Sequence, residues 1–208
     1  MYLSKLVLDP RSHQVQAELA NRYELHRTLA GAFAGQNYAA DRLLYRLEIN
    51  HTLPYLVLLL QSSTLPDWSA LEQKDYLLGP AQVKPYAPQI RTGESFAFRL
   101  MANPTRRLRV GEDAGKRVAL YRLEDQQNWI LRKAEQHGFR LTTLQIANLS
   151  DEYSYKVIGK ERKRLTHHGV RFEGVLEVID PQRFGLTLAH GIGSAKGFGF
   201  GLLSIARL

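Results

Sequence analysis

The sequence of 208 residues contains no cysteine, so it can form neither a disulfide nor a thiolate metal site and has no cysteine nucleophile. It also lacks an apolar run long enough to span a bilayer. Its opening, MYLSKLVLDP, is too short and too polar for a secretory signal and is typical of a first strand. These absences predict a protein of the reducing cytoplasm that has no membrane partner.

Motifs for nucleotide and metal chemistry are missing too. There is no GxxxxGK[ST] loop, because Lys196 is not placed in that pattern, and there is no HExxH or carboxylate cluster for a two-metal site. His167 and His168 are adjacent, so in a strand their side chains would point to opposite faces. We therefore expect neither a cofactor nor a metal.

Acidic residues are outnumbered by basic ones. Lys and Arg total 28 against 20 Asp and Glu, which gives a net charge of +8 and a pI of about 9.8. A pI above ~9 is typical of a nucleic-acid-binding domain, although a basic protein without such a partner has the same totals. Clustering of the cations decides between the two, since a binding surface must gather charge where phosphates lie.

Hydrophobic patterns predict two similar halves. In the first half the predicted elements are strand 1–8, helix 14–19, a helix from 22, strand 42–48, strand 54–61 and a short helix after 68. In the second half they are strand 95–102, helix 124–137, strand 139–146, strand 170–179, helix 181–190 and strand 200–206. The order predicts an α+β chain of two tandem ferredoxin-like (RRM-like) βαββαβ domains, at 1–88 and 89–208. Residues 79–88 hold three prolines and are predicted to be an irregular approach to a linker.

A helix predicted from residue 22 carries three side chains suited to RNA cleavage. Asn21 is a good N-cap, and Glu24 stands where a capping-box acid would. Tyr23 lies three residues from His26 and four from Arg27, so all three share one side of a helix. An imidazole can move protons, a phenol can orient a 2′-hydroxyl and a guanidinium can hold phosphate oxygens. The alternative is that the tyrosine packs at the helix end while the other two are solvated.

Two stretches are strongly basic. One runs from residue 156 to 171, and its cations are Lys156, Lys160, Arg162, Lys163, Arg164 and Arg171. The other, a predicted loop after the strand at 95–102, contains Arg106 and Arg107. Each is a candidate track for a nucleic-acid backbone, and each could also be a solvated hairpin tip or a solubilising loop.

Glycines are concentrated near the end of the chain, in AHGIGSAKGFGFGLL. The candidate phosphate-contacting residues of this stretch are Gly191, Gly193, Ser194, Lys196 and Gly197. Successive backbone N–H groups in a glycine-rich turn can form a concave anion site. The stretch could also be only a tight loop between a helix and the last strand.

At this point the residues resemble a known family. MYLSKLVL, NRYELHRTLAGAF, FAFRLMANPTRR, FEGVLEV and GIGSAKGFGFGLLSIARL occur in the same order in the CasE family, the CRISPR-associated endoribonucleases that process precursor CRISPR RNA for Cascade. The resemblance covers the whole chain.

The resemblance implies two ferredoxin-like domains that bind the stem-loop of the repeat RNA and cut at the 3′ base of its stem. It implies metal-independent attack by a 2′-hydroxyl, a cyclic or 3′ phosphate product, and retention of that product within Cascade. The family's active-site Tyr and His match Tyr23 and His26, and its neighbouring Arg matches Arg27. Its glycine-rich loop matches 191–201, and its basic hairpin matches roughly 156–171.

One departure separates this chain from some members, which carry a lysine four or five residues after the histidine. Ala30 and Gly31 occupy those places here, so that cation is absent, and Arg27 and Lys196 are the candidates to replace it. The main alternative to an endoribonuclease is a non-catalytic RNA-binding subunit of a CRISPR ribonucleoprotein. A small-molecule enzyme of ferredoxin-like fold is a weaker alternative, because the net charge argues against it.

Overall fold

The computed structural model describes residues 1–33, 43–48, 55–111, 114–158 and 161–208. They form two compact units, and neither unit is one continuous stretch of chain. Unit 1 comprises Met1–Pro88, Tyr153–Leu165 and Lys196–Gly199. Unit 2 comprises Gln89–Glu152, Thr166–Ala195 and Phe200–Leu208.

Unit 1 is a four-stranded antiparallel sheet with helices on one face. Its elements are β1 (Tyr2–Leu8), α1 (His13–Ala20), α2 (Arg22–Ala30), a 3₁₀ turn (Gly31–Phe33), β2 (Leu44–Glu48), β3 (Leu56–Ser62), α3 (Ser69–Glu72) and β4 (Gln82–Pro85). The strand order is β2-β3-β1-β4, with Leu6 opposite Leu58 in the central pair. Leu25 and Leu29 of α2 are fully buried in the core on this sheet.

The prediction that residues 79–88 are irregular is wrong, because β4 is the fourth strand of this sheet. It pairs antiparallel with β1, with Lys5 opposite Gln82 and Tyr2 opposite Pro85. The strand lies at the edge of the sheet, and the proline is its last residue. An edge strand tolerates proline there, because the missing N–H costs no bond between two inner strands.

Unit 2 has the same plan with a small hairpin inserted after its first strand. Its elements are β5 (Ser95–Ala102), β6 (Thr105–Arg107), β7 (Arg117–Ala119), α4 (Leu123–Gln136), β8 (Phe139–Ile158), β9 (Glu161–Val178), α5 (Pro181–His190) and β10 (Leu203–Arg207). The last residues of β8, from Tyr153, and the first residues of β9, up to Leu165, belong to unit 1. The large sheet has the order β10-β5-β9-β8. Alternate residues of β5, such as Phe98 and Leu100, are buried against α4 and α5 side chains such as Ile130 and Phe184.

Local signals account for several of these elements. Asp180 caps α5, since its carboxylate accepts the N–H groups of Gln182 and Arg183, and Pro181 occupies the first turn.

The predicted loop around Arg106 is instead the β6–β7 hairpin. Both sheets have the strand order of a ferredoxin-like βαββαβ unit, so the predicted α+β class and tandem fold are confirmed.

Candidate functional site

Helix α2 of unit 1 presents the candidate catalytic side chains. Leu25 and Leu29 anchor one face of the helix in the core. Tyr23 and His26, three residues apart, lie on another face and are both half-buried. The helix therefore holds a phenol and an imidazole side by side at the border of the core.

The His26 imidazole lies between an aromatic ring and the backbone of a glycine. Its ring is stacked on that of Tyr45, with centroids 6.3 Å apart and an interplanar angle of 21°. The 3₁₀ turn Lys196–Phe198 packs against α2, so close that a Cβ on Gly197 would lie 3.7 Å from Nε2, Cε1 and Cδ2 of the imidazole. Burial lowers the pKa of His26 below its ordinary value of 6.5, which favours the neutral ring at pH 7.

Tyr45 on β2 connects the elements around the imidazole. Its side chain is fully buried, and its hydroxyl lies 3.1 Å from the carbonyl oxygen of Gly197 and 3.4 Å from that of Arg22. This role of Tyr45 carries no signal in the sequence, since an aromatic residue in an alternating apolar strand predicts only core packing.

The start of α2 differs from the predicted capping box. The Asn21 side chain makes no cap bond; its Oδ1 accepts the backbone N–H of Tyr155 on β8, at 3.1 Å. Glu24 does not reach back to the cap either but pairs with Arg27, with Nη1 and Oε2 2.8 Å apart. The prediction is wrong because the Asn21 side chain bonds to a strand N–H and the Glu24 side chain to a neighbouring guanidinium. Arg27 is consequently an exposed, ion-paired cation on α2.

The glycine-rich stretch is divided between the two units. Gly191 ends α5 with φ of 68°, Gly193 packs on Trp129, and the Ser194 hydroxyl lies 3.4 Å from the carbonyl oxygen of Asn103, all within unit 2. Lys196 and Gly197 belong to unit 1, in the turn against α2. Of the predicted residues in this stretch, these last two lie beside the candidate catalytic helix.

The described residues of the basic stretch, 156–158 and 161–171, lie in the paired strands β8 and β9. Lys160 lies outside the described residues, as do the side chains of Lys156, Arg162 and Lys163. Arg164 is exposed, and its guanidinium carbon stands 4.0 Å from the centre of the Tyr153 ring. Arg171 is instead ion-paired with Glu173 in β9, with Nε and Oε2 3.1 Å apart.

The β6–β7 hairpin carries the other predicted cations. Arg106 faces Val118, and Arg107 stands directly opposite Arg117, so the two predicted arginines point to opposite sides of the hairpin. Like charges directly opposite each other destabilise a strand pair. Burial first, then Arg132 and Arg117, lower the pKa of Lys133 on α4, so these two arginines add a positive potential at Lys133. We call Arg107, Arg117, Arg132 and Lys133 the cationic patch.

In the part of the chain that the structure describes, no three His, Asp and Glu side chains group in a way that could hold a metal ion. None of its helices combines the length and the apolar character needed to cross a bilayer.

Comparisons with known proteins extend over the whole chain. A family model described as CRISPR associated protein matches residues 1–207. The CRISPR-associated endoribonuclease Cse3 of Thermus thermophilus is 42% identical over 218 residues, covering 99% of this chain and 100% of that protein. The CRISPR system Cascade subunit CasE of Escherichia coli K12 is 30% identical, with both chains fully covered.

A solved structure agrees with these matches. Thermus thermophilus Cse3 bound to an RNA representing a pre-cleavage complex superposes with a TM-score of 0.85 and 40% identity, covering 99% of this chain and 98% of the other. Two ferredoxin-like units, with Tyr23 and His26 on a helix of the first, define the class: a tandem ferredoxin-like protein with a candidate acid–base site. Within that class, the chain belongs to the family of CRISPR-associated proteins that contains Cse3 and CasE, which confirms the resemblance.

Proposed function

We propose that this protein is a metal-independent endoribonuclease that binds the repeat stem-loop of precursor CRISPR RNA and cleaves at the 3′ base of the stem. The observation that carries the proposal is the partly buried His26 imidazole on α2, three residues from Tyr23 on the same face of the helix. The substrate class follows from membership of a family whose relative, 42% identical, is named an endoribonuclease.

The chemistry needs only side chains of this chain. The 2′-hydroxyl oxygen attacks the adjacent phosphorus, the bond from phosphorus to the 5′-oxygen breaks, and a 2′,3′-cyclic phosphate forms. One proton leaves the 2′-hydroxyl and one joins the departing 5′-oxygen, and neutral His26 is suited to accept the first. Tyr23 orients the attacking hydroxyl. A histidine that has taken the first proton can deliver the second, so His26 can serve as base, acid or both in turn.

A cation near the scissile phosphate would stabilise the charge that develops on it. Ala30 and Gly31 supply none at the places where some relatives carry lysine. Lys196 lies in the turn packed against α2, and Arg27 lies on α2 itself, where it is ion-paired with Glu24. Both are candidates for this role.

RNA binding is assigned to three groups of residues. The stretch around Arg164 on β8 and β9 follows the RNA stem. The cationic patch and Arg106 contact further backbone phosphates, and the turn at Lys196 and Gly197 lies near the cut. Within the described residues, the guanidiniums of Arg107, Arg117 and Arg132 have no ion-pair partner, so phosphates need not displace an acid there.

The protein is further proposed to keep its product and to act as a Cascade subunit in the cytoplasm, as two domains at 1–88 and 89–208. The relative CasE is named a Cascade subunit. Retention follows from a site that binds the stem, which remains intact in the product after the cut at its base.

Incubation with a repeat-hairpin RNA in EDTA tests the proposal. Wild type should cut, and His26→Ala should cut at least about 100-fold more slowly while its RNA affinity is kept, because general acid–base catalysis contributes about that much. His13→Ala removes an exposed histidine from the same unit and should cut normally.

A deoxynucleotide at the cut site should block cleavage and leave binding intact, since the attacking oxygen is then missing. Cutting by His26→Ala at the wild-type rate would show that the catalytic assignment is wrong. Tight binding without any cutting by wild type would favour the non-catalytic RNA-binding subunit.

A further inference from the structure

Tyr45 is a fully buried tyrosine whose hydroxyl lies within hydrogen-bonding distance of two backbone carbonyls. Its hydroxyl lies 3.1 Å from the Gly197 oxygen and 3.4 Å from the Arg22 oxygen. A buried phenol needs a hydrogen-bond acceptor, and here both acceptors belong to elements that surround His26.

The Arg22 carbonyl belongs to the turn of α2 that holds His26. In an α-helix each N–H bonds to the carbonyl four residues before it, so this carbonyl is the backbone partner of His26. By donating to the Arg22 carbonyl, the Tyr45 phenol holds the first turn of α2 from outside the helix.

The Gly197 carbonyl belongs to the turn on another side of the imidazole. Gly199 fixes the same turn against the Tyr45 ring: its φ is 88°, and a Cβ on it would come within 3.2 Å of Cε2 of the tyrosine. Such a φ favours glycine, so a side chain at this position is excluded both by backbone conformation and by space.

We propose that Tyr45 is a positioning residue for His26. Through its ring it supports one face of the imidazole, and through its hydroxyl it joins the first turn of α2 to the turn Lys196–Phe198. The catalytic role of His26 is part of the proposed function, on which this inference rests for its effect on cleavage; the effect on the geometry of His26 does not depend on it.

The decisive variant is Tyr45→Phe, which keeps the stacked ring and removes both links to the carbonyls. Single-turnover cleavage at saturating protein should fall by about 10-fold or more, because small displacements of a catalytic group are costly, while the Kd for the repeat hairpin stays within about twofold. Tyr86→Phe is the matched control. It removes another partly buried hydroxyl of unit 1, one with no hydrogen-bond partner in the described part of the chain, and should leave cleavage unchanged.

A second measurement uses the free protein without RNA. The His26 Cε1–H resonance is followed by NMR against pH in wild type and in Tyr45→Phe. Loss of the carbonyl links should loosen the packing around the ring, so the pKa of His26 should move up toward its ordinary value of 6.5. Tyr45→Leu removes the stack as well and should move it further, and if that variant does not fold the Phe variant still decides.

The outcomes separate the two proposals. An inactive His26→Ala with wild-type cleavage and an unchanged His26 titration in Tyr45→Phe would overturn the role of Tyr45 alone. A fully active His26→Ala would overturn the catalytic assignment, and the NMR titration would still decide whether Tyr45 positions the imidazole.

Discussion

Gly197, beside His26, is a glycine whose backbone conformation does not require glycine. Gly197 lacks the positive φ seen at Gly199, so an alanine would fit its conformation. What an alanine would change is the space beside His26, because its methyl group would touch Nε2, Cε1 and Cδ2 at 3.7 Å. An alanine here would therefore suit the backbone but reduce the space beside the imidazole.

Gly197→Ala should fold normally and cut poorly. A contact of 3.7 Å is ordinary packing, so the free energy of unfolding should change by no more than about 0.5 kcal/mol. Cleavage should fall about tenfold if the proposed 2′-hydroxyl reaches the ring at this edge, because the methyl group would cover it. Thermal denaturation and single-turnover kinetics measure the two effects. Gly79→Ala, with open space around its Cβ, is the control; wild-type cleavage by Gly197→Ala would mean that RNA reaches His26 from elsewhere.

At the scale of elements, a buried carboxylate holds α1, α2 and the chain before β4 together. Glu18 of α1 accepts hydrogen bonds from the hydroxyls of Tyr76 at 2.5 Å and Thr28 at 2.6 Å, and from Gln14 at 2.8 Å. Thr28 lies on α2, so this network fixes the helix that carries His26. Burial first, and Glu18 second, raise the pKa of Tyr76 above its ordinary value of 10.0.

The Tyr76 phenol should make the protein sensitive to alkali. The raised pKa means that the folded state keeps the proton while the unfolded chain releases it, so this contribution is complete below pH 10 and is lost as pH rises above it. Above that pH the free energy of unfolding should fall about 1.4 kcal/mol per pH unit more steeply in wild type than in Tyr76→Phe. Urea denaturation at several pH values from about pH 8 to about pH 11 measures how steeply the free energy of unfolding falls with pH. Tyr121→Phe, at an exposed tyrosine, should keep the wild-type slope, and equal slopes in all three proteins would contradict the prediction.

The elements themselves were largely predictable from the sequence, and the exceptions have physical causes. The spacing of Leu25 and Leu29 predicts α2, and Asp180 with Pro181 predicts the start of α5. Strand β4 could not be predicted, because the strand that it pairs with, β1, lies nearly 80 residues earlier in the chain. In the sequence, a proline in an edge strand also looks the same as a proline in a loop. Asn21 likewise has a long-range partner, Tyr155, which no local rule anticipates.

The candidate site was predictable only in part, for a similar reason. Tyr23, His26 and Arg27 follow from spacing along one helix. The contribution of Tyr45 depends on a strand, a helix and a turn meeting at one phenol, and its acceptors are backbone carbonyls that carry no sequence signature.

On the scale of the whole molecule, the net charge of +8 matters less than where unpaired cations are concentrated. In the cationic patch, Arg107 and Arg117 face each other across two strands, and Lys133 is held near Arg117 and Arg132. The positive charges of these side chains repel one another, and a bound anion such as a phosphate would relieve that repulsion. Other arginines are neutralised locally, as Arg140 is by Glu177 at 2.7 Å.

Replacing Arg107, Arg117 and Arg132 together with Gln should weaken RNA binding and flatten its salt dependence. Each lost phosphate contact should reduce the slope of log Kd against log salt by about 0.7 to 0.9. Fluorescence anisotropy with the repeat hairpin at several salt concentrations measures the slope. The control replaces the arginines that pair with acids, Arg11, Arg140 and Arg183, and removes the same formal charge. If both triple variants lose the same slope, net charge rather than the patch accounts for binding.

Unit 1 is assembled from three separated stretches of chain, and this has a consequence for the timing of synthesis. A ribosome releases the chain from its N-terminus, so His26 and Tyr45 emerge long before Gly197. The nascent protein therefore carries the candidate catalytic helix without the turn that packs against it until translation is nearly complete. A messenger cut short before residue 196 would yield a chain with the candidate catalytic helix but an unfinished site.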